Sequence, residues 1–193
     1  MRRAGFTLIE VLVATTLSVG LIGLAGSAYI QSERLTVAQA DELAVAQNAR
    51  VLVDRISRDV RQTTEFIATL PDNAAEGVTV VEFVDGHEPP PGGPYYLRYE
   101  LVDQEVWRRR QYYYRPSQPE VRVDYNPSET IYEEGAGAPD DALVRHLDES
   151  TLVADGVTDL AFWGSASLLR IDVWLAQGRS EIYQLHSAVA KRN

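Results

Sequence analysis

An apolar segment of 25 residues, 6–30, is introduced by the sequence Gly5-Phe6-Thr7-Leu8-Ile9-Glu10-Val11-Leu12-Val13-Ala14. Glu10 is the only strongly polar side chain in this segment. Since about 20 apolar residues span the hydrocarbon core of a bilayer, the segment is predicted to cross a membrane once. Arg2 and Arg3 precede it, so the positive-inside rule places the N-terminus in the cytoplasm and the rest of the chain outside it.

Glu10 requires an explanation, because a carboxylate inside an apolar membrane helix costs about 2.5–3.5 kcal/mol on insertion scales. Either Glu10 lies near the membrane edge, where its side chain reaches water, or it pairs with a cation. Cleavage between Gly5 and Phe6 would supply that cation, because the new α-amine of Phe6 would lie one helical turn from Glu10 of its own or a neighbouring chain. A simple cleaved secretory signal is disfavoured, since its apolar region is only about 7–15 residues long.

These residues resemble the signal of type IV prepilins and type II secretion pseudopilins, in which a short basic leader ends in Gly and Phe-Thr-Leu-Ile-Glu follows. The resemblance implies that a prepilin peptidase cuts after Gly5 and methylates the amine of Phe6. It also implies that Thr7 and Glu10 belong to the assembly determinant, in which the glutamate neutralises the N-terminus of an incoming subunit. The expected partners are the prepilin peptidase, other pilin or pseudopilin subunits contacted through the N-terminal helix, and the assembly platform of the inner membrane.

The same resemblance implies a location. We expect a single-pass protein of the inner membrane whose head lies outside the cytoplasm and which reaches the tip of a pilus or pseudopilus after assembly. Loss of the leader would remove Arg2 and Arg3 and so lower the formal net charge from −10 to −12.

The membrane segment departs from major pilins, which often carry a helix-breaking proline there. The first proline of this chain is Pro71, and three glycines stand in the segment instead: Gly20, Gly23 and Gly26. Each glycine weakens a helix by about 1 kcal/mol relative to alanine, so they could loosen it. Close approach of a neighbouring helix to small residues is the equally favoured interpretation.

The pattern becomes amphipathic after Ile30. Apolar residues recur at helical spacing and trace one stripe: Leu35, Ala38, Val45, Ala49, Leu52, Ile56, Val60 and Ile67. Charged residues, including Asp54, Arg58 and Asp59, are assigned to the remaining helix surface. Because Pro71 follows, the spacing predicts a helix that ends near residue 70. The predicted organisation is a leader at 1–5, a membrane or fibre-core helix at 6–30, an amphipathic helix at 31–70 and a β-rich head at 71–193.

The head is predicted to consist mainly of strands. Apolar alternation or β-branched residues mark the segments 78–84, 95–102, 106–115, 157–163, 168–175 and 181–189. A hairpin is expected across Asp103-Gln104-Glu105 and a turn near Gln177-Gly178. Prolines and glycines predict a loop at 86–94, and 115–150 is predicted to be a long irregular excursion. The predicted fold class is α+β and pilin-like, with one long N-terminal helix packed on an antiparallel sheet.

Composition excludes several classes of protein. Of the 193 residues, 45% are apolar and 24% are charged, which excludes a disordered chain and a multi-span membrane protein. The net charge of −10 is opposite in sign to that of a general nucleic-acid coat protein. The sequence contains no cysteine, so disulfides, thiolate metal sites and cysteine nucleophiles are excluded.

No catalytic pattern is recognisable. His87, His146 and His186 are far apart without metal-ligand spacing, and they are predicted to be surface or loop residues. The glycine-rich stretches lack the P-loop lysine, and no serine lies in a nucleophile elbow. Acidic residues within 140–155 do not match an EF-hand, so solvated loop charge is favoured over a calcium site. We predict that the protein is not an enzyme and binds no cofactor or metal.

One predicted strand combines basic and aromatic residues, and its candidate patch for a ligand or partner is Arg108, Arg109, Arg110, Tyr112 and Tyr114. Arginines beside stackable rings could bind DNA. However, successive side chains of a strand alternate between faces, so the three arginines cannot share one surface. Charged positions that discourage sheet aggregation, or a contact to an acidic subunit, are therefore favoured over DNA binding.

Later stretches at 49–62, 97–109 and 152–162 resemble minor pilins of the W type and J-type pseudopilins. This resemblance implies a scarce subunit with a large head at the fibre tip. The leading hypothesis is a minor pilin or pseudopilin that helps to initiate or cap a type IV pilus or type II secretion pseudopilus. The alternative is a pilus-tip minor pilin that binds DNA or a surface, in DNA uptake, competence or adhesion.

Overall fold

The computed structural model describes residues 7–67, 69–87, 92–177 and 181–191. The chain divides into two compact units, Met1–Leu43 and Ala44–Asn193, and helix α1 (Leu8–Gln62) contributes to both. A 3-10 helix (Ala74–Glu76) follows. The strands of the described part are β1 (Val80–Val84), β2 (Tyr96–Val102), β3 (Glu105–Arg115), β4 (Gln118–Val123), β5 (Ile131–Glu133), β6 (Leu143–Ala154), β7 (Val157–Ser165), β8 (Leu168–Gln177) and β9 (Glu181–Ala190).

In the first unit, α1 is exposed along its whole described length, and its large side chains up to Ile30 are apolar or aromatic apart from Glu10. Leu17 is 64% exposed and Ile22 is 72% exposed. The stretch is long and apolar enough to cross a membrane, as judged by length and composition. A surface of this kind needs lipid or protein to cover it.

In the second unit, α1 buries one stripe made of Ala49, Leu52, Ile56 and Val60. These positions belong to the predicted amphipathic stripe, which is confirmed for this half of the helix. The stripe shares one core with side chains from both sheets of the head, including Phe83 and Ile171.

Helix α1 ends at Gln62, earlier than the predicted end near residue 70. The hydroxyl of Thr63 donates to the carbonyl oxygen of Val84 at 2.8 Å. Phe66 then forms an antiparallel bridge with Phe83 of β1. The prediction is corrected because β-branched and aromatic residues here pair their backbone with β1 instead of continuing the helix.

Six strands form the larger sheet, in the order β1-β2-β3-β6-β5, with β4 paired to the end of β3. The predicted β2–β3 hairpin is confirmed. Its turn has two residues, Asp103 with a φ of 50° and Gln104 with a φ of 67°, and Glu105 already pairs with Val102. Positive φ at both central positions is typical of the turn that matches strand twist. Residues 88–91 of the predicted 86–94 loop lie outside the described residues.

The prediction of an irregular excursion at 115–150 was wrong, because β4, β5 and much of β6 lie there. The middle of β6 is polar and charged, so it lacks the apolar alternation by which strands are recognised. It is ordered by antiparallel pairing with β3, which runs from Tyr114 opposite Val144 to Val106 opposite Ala154 with two register shifts between them. The β5–β6 pair is parallel, so this sheet is mixed rather than wholly antiparallel.

The smaller sheet is antiparallel, in the order β7-β8-β9. Leu169, Ile171, Val173 and Leu175 are buried, as predicted for one face of β8. Gly178 of the predicted turn lies outside the described residues. The α+β class is therefore confirmed, with two sheets in the head where one was expected.

Candidate functional site

Two regions carry the predicted functional residues, and the first is the start of α1. The backbone N–H of Glu10 donates to Oγ1 of Thr7 at 3.4 Å, and the N–H of Thr7 donates to Oε2 of Glu10 at 3.4 Å. This reciprocal pair is a capping box. This local role was not predicted, although Thr-x-x-Glu before an apolar run is its sequence signature.

The carboxylate of Glu10 remains exposed beside the apolar side chains of the first helical turns. Leu8 is 84% exposed and Ile9 is 71% exposed. Glu10 is thus held at the beginning of the helix and is accessible to a cation from another molecule. Gly5 and Phe6 lie outside the described residues, so the cleavage and methylation sites stay predictions.

The three glycines of the membrane segment lie within an unbroken stretch of α1. Apart from the adjoining residues and the nearby backbone of the helix itself, no heavy atom of the described chain lies within 4 Å of a Cβ placed on Gly20, Gly23 or Gly26. The chain itself therefore does not require glycine at these positions. Loosening of the helix and close approach of a neighbouring helix both remain as interpretations.

The second region is β3, where Arg108 points toward α1. Its Nε donates to Oδ2 of Asp59 at 2.7 Å, and the hydroxyl of Tyr99 donates to the same oxygen at 2.7 Å. Asp59 is 5% exposed, so its assignment to the solvated face of the helix was wrong. The signal was present in the sequence, since Asp59 lies between Ile56 and Val60 of the apolar stripe.

Burial raises the pKa of Tyr99, and the charge and hydrogen bond of Asp59 raise it further. For Arg108, burial acts to lower the pKa, but the hydrogen bond and charge of Asp59 outweigh it and the net shift is upward. Asp59, Tyr99 and Arg108 thus form a partly buried network that joins the helix to the larger sheet. This arrangement serves packing, and it leaves the guanidinium of Arg108 occupied.

Arg109 lies on the opposite face of the sheet, as the alternation of a strand requires. Its Nη1 is 2.7 Å from Oε1 of Glu100, while Nε of Arg98 donates to Oε2 of the same carboxylate at 2.7 Å. Glu100 is 6% exposed. The structure therefore does not bring Arg109 together with Arg108 and Arg110 on one surface.

Arg110 shares its face with Arg108 and is surrounded by acids and an aromatic ring. Its Nε lies 3.4 Å from Asp85, its Nη1 lies 3.6 Å from Asp148, and its guanidinium lies 3.8 Å from the ring centre of Tyr95. The contact with Asp85 is too poorly aligned for a hydrogen bond, so this buried Nε has no hydrogen-bond partner among the described residues.

Tyr112 and Tyr114 continue this face and form an aromatic cluster with rings 6.2 Å apart. Tyr95 packs edge-on against Tyr112 at 5.8 Å. Arg122 of β4 lies 4.0 Å from the ring centre of Tyr95, across from Arg110. Neither Tyr95 nor Arg122 was predicted from the sequence to belong to this patch, because their proximity depends on the pairing of β3 with its neighbours.

Each histidine lies near a carboxylate. Nδ1 of His87 is 2.7 Å from Asp85, Nδ1 of His146 is 2.7 Å from Glu134, and Nδ1 of His186 is 2.6 Å from Asp172. The ring of His186 is 62% exposed. Among the described residues, no three acidic or histidine side chains are grouped so that they could hold a metal ion.

A family model described as the prokaryotic N-terminal methylation motif matches residues 1–27. This motif is the type IV prepilin and pseudopilin signature, and it points to a structural subunit rather than an enzyme. It implies processing by a prepilin peptidase and assembly with other pilins in the membrane. The motif and the apolar helix fit a pilin anchored in the inner membrane. No curated protein and no solved structure matches the chain significantly.

Proposed function

We propose that this chain, which carries the type IV prepilin and pseudopilin signature at its N-terminus, is a minor pilin or pseudopilin that helps to initiate or cap a fibre. The observation that carries the proposal is Glu10, an exposed carboxylate at the start of a helix whose residues 8–43 are all exposed. The apolar side chains of this helix are stabilised only when lipid or other helices remove them from water.

Glu10 gives that association its specificity. Cleavage after Gly5 frees the α-amine of Phe6, the peptidase then methylates it, and this cation pairs with Glu10 of a neighbouring subunit. Inside lipid or a helical bundle, the unpaired carboxylate costs several kcal/mol, so pairing favours subunits that enter in the correct register. The capping box with Thr7 supports this role by holding the carboxylate at the first helical turn.

The minor role at the fibre tip rests on the resemblance of the helix and head to W-type minor pilins and J-type pseudopilins. An initiating subunit sets how many fibres are started, whereas a major subunit supplies their length. Deletion of this chain should therefore reduce the number of fibres per cell while leaving the length of the remaining fibres unchanged. Shorter fibres in normal number would contradict initiation.

The experiment that tests the assembly mechanism compares Glu10→Ala with Glu33→Ala. Glu33 is an exposed carboxylate of the same helix, so it is a matched control. We expect Glu10→Ala to reach the membrane in normal amount but to fall at least tenfold in the sheared fibre fraction, measured by quantitative mass spectrometry. Glu33→Ala should resemble the unaltered chain. Normal incorporation of Glu10→Ala would contradict the mechanism.

A second candidate function is binding of DNA or a surface by the head. Arg122 favours it, because this cation lies against the rings of Tyr95 and Tyr112 and has no carboxylate within ion-pair distance among the described residues. Arg122→Ala should then lower DNA uptake or adhesion without changing fibre number. Arg58→Ala, which removes an exposed arginine from the helix, is the control. Equal uptake by both variants would remove this candidate.

A further inference from the structure

The outer edge of β9 presents backbone groups that the described chain leaves unpaired. The N–H of Lys191 donates to the carbonyl oxygen of Ser167 at 3.0 Å, which continues the β8–β9 ladder. Because antiparallel hydrogen-bonded pairs recur every second residue, the odd-numbered residues of β9 bond to β8. The even-numbered residues therefore direct their N–H and C=O groups away from the sheet: Ile182, Gln184, His186, Ala188 and Ala190.

The opposite edge of the same sheet is closed by the chain itself. On β7, the N–H of Phe162 donates to the carbonyl oxygen of Val78 at 2.8 Å, and the N–H of Gly164 donates to that of Pro71 at 2.8 Å. The N–H of Leu160 is capped by the side chain of its neighbour Asp159 at 2.9 Å. These three outward groups alternate along β7 just as the free groups alternate along β9.

The edges of the larger sheet are also protected. The N–H of Ile67 donates to β1 at Glu82, and β5 has only three residues. β4 contains Pro119, which cannot donate a hydrogen bond. The pairing of β6 with β3 shifts register twice, and β6 carries acidic residues. Bulges, short strands, prolines and charges are the usual devices that prevent strand addition at an edge.

β9 lacks these devices from Ile182 onward, and Glu181 at its start is its one acidic residue. Its ten residues pair with β8 without a register shift, and residues 182–190 contain no Asp, Glu, Lys, Arg or Pro. Tyr183, Leu185 and Val189 contact the core, whereas Ile182 is 62% exposed on the other face. In a chain of net charge −10, a neutral and regular edge of this length is suited to pairing with another strand.

We propose that β9 is a docking edge on which a different fibre subunit adds an extended strand with uncharged side chains. The edge has no Asp, Glu, Lys or Arg along residues 182–190, and its imidazole, His186, is already held 2.6 Å from Asp172. This argues for a partner strand with uncharged side chains, since a charged one would lose hydration without finding a free ion-pair partner there. A second copy of this chain is disfavoured, because it would bring together two heads that each belong to a chain of net charge −10. The identity of the partner as a subunit rests on the proposed function, which places neighbouring heads side by side in a fibre.

Amide hydrogen exchange at single-residue resolution tests the pairing directly. The full chain is compared as the free, detergent-solubilised subunit and in the complex isolated from envelopes that contain the other fibre subunits. We expect the amides of residues 182, 184, 186 and 188 to exchange fast in the free subunit and at least 100-fold more slowly in the complex. The amides of 183, 185, 187 and 189 should be slow in both.

Fast exchange of the even-numbered amides in the complex would overturn the proposal. Protection that appears in the purified chain alone and rises with its concentration would mean that a second copy occupies the edge, which also contradicts it. Failure of the proposed function would give a different result from failure of the docking-edge proposal. The chain would then not begin at methylated Phe6, or it would enter no complex.

Two variants test the consequence for binding. Ala188→Pro removes one outward N–H and leaves the β8–β9 ladder intact, and Ile182→Lys places a charge on the edge. Leu152→Lys is the matched control, since Leu152 is a 45% exposed apolar residue of β6. We expect each β9 variant to keep its urea midpoint and to recover at least tenfold less partner subunit, while Leu152→Lys recovers the normal amount. Normal recovery by both folded β9 variants would overturn the proposal.

Discussion

Helix α1 passes through two environments. The comparison of its two parts shows which residues are stabilised by their own head and which need another molecule to cover them. Residues 8–43 are exposed all round and carry apolar side chains such as Leu17, whereas residues 44–62 bury a single stripe that includes Leu52. The second part is covered by the sheets of its own head. The first part finds no cover in its own unit, so its stability depends on lipid or on other subunits. Packing within the head thus stabilises residues 44–62 of the helix. Residues 8–43 form a stem whose apolar side chains are covered only by lipid or by other subunits.

The largest effect on stability is expected from a substitution of Asp59, in the covered part of the helix. Asp59→Ala leaves Arg108 without its carboxylate in a partly buried site, and loss of one partner of such a pair costs about 3–5 kcal/mol of unfolding free energy. Asp54→Ala is the control, because Asp54 pairs with Arg58 on the surface, where ion pairs contribute about 0–1 kcal/mol. Urea unfolding followed by tryptophan fluorescence measures both, since all three tryptophans lie in the head. Equal losses would contradict the buried network.

A paired truncation compares the two parts of the helix directly. Leu52→Ala removes a fully buried side chain and should lower the unfolding free energy of the head by about 2–5 kcal/mol. Leu17→Ala removes the same atoms from an exposed position and should leave head stability unchanged. The same fluorescence measurement in detergent distinguishes them. A loss of stability in Leu17→Ala as large as that in Leu52→Ala would show that the exposed part is also packed against its own chain.

The head that covers this part of the helix should also be sensitive to alkaline pH. Burial raises the pKa of Tyr99 and of Tyr113, with further upward shifts from Asp59 and Glu82. The folded state therefore keeps these protons above pH 10, where unfolded tyrosines lose theirs. Each tyrosine should lower stability by about 1.4 kcal/mol per pH unit between the unfolded and folded pKa values.

Replacing one of these tyrosines tests the pH dependence. Tyr99→Phe should reduce the steepness with which the unfolding free energy falls above pH 10, as measured by urea titrations at several pH values. A slope that Tyr99→Phe leaves unchanged would contradict the raised pKa.

The smallest expected effect lies at the exposed end of α1. Thr7→Ala removes the capping box and should destabilise the first helical turn by about 1 kcal/mol, as seen by faster amide exchange at residues 8–11. Thr36→Ala is the control, since the Thr36 hydroxyl bonds within the helix to the carbonyl oxygen of Ser32. Head stability should not change in either variant. Unaltered exchange after Thr7→Ala would contradict the capping role.

Much of the fold was predictable because the decisive signals are local. The apolar run after Glu10, the stripe from Ala49 to Val60 and the hairpin at Asp103-Gln104 each appear within a few residues of sequence. The strand β6 was missed because its order comes from pairing with β3, and its own residues show no apolar alternation. The helix end at Gln62 was missed for a similar reason, since the pairing partner of Phe66 lies in β1.

The candidate sites also differ in whether their signals are local in the sequence or depend on long-range pairing. The N-terminal signal is a contiguous motif, and the family model confirms it over residues 1–27. The three arginines of β3 were recognised because they are consecutive in the sequence. The alternation of side chains along a strand indicated that they would lie on different faces of the sheet. Their partners Asp59, Glu100 and Asp85 could not be assigned, because they come from α1, β2 and the residue after β1 and meet only in the folded head.

The most direct test of the central claim, that the exposed part of α1 is a processed assembly stem, is mass spectrometry of the N-terminal peptide. The chain is isolated from native envelopes with and without the prepilin peptidase. We predict a peptide that begins at N-methyl-Phe6 when the peptidase is present and at Met1 when it is absent. A chain that begins at Met1 in both, or that is cut near Ala28, would contradict the claim.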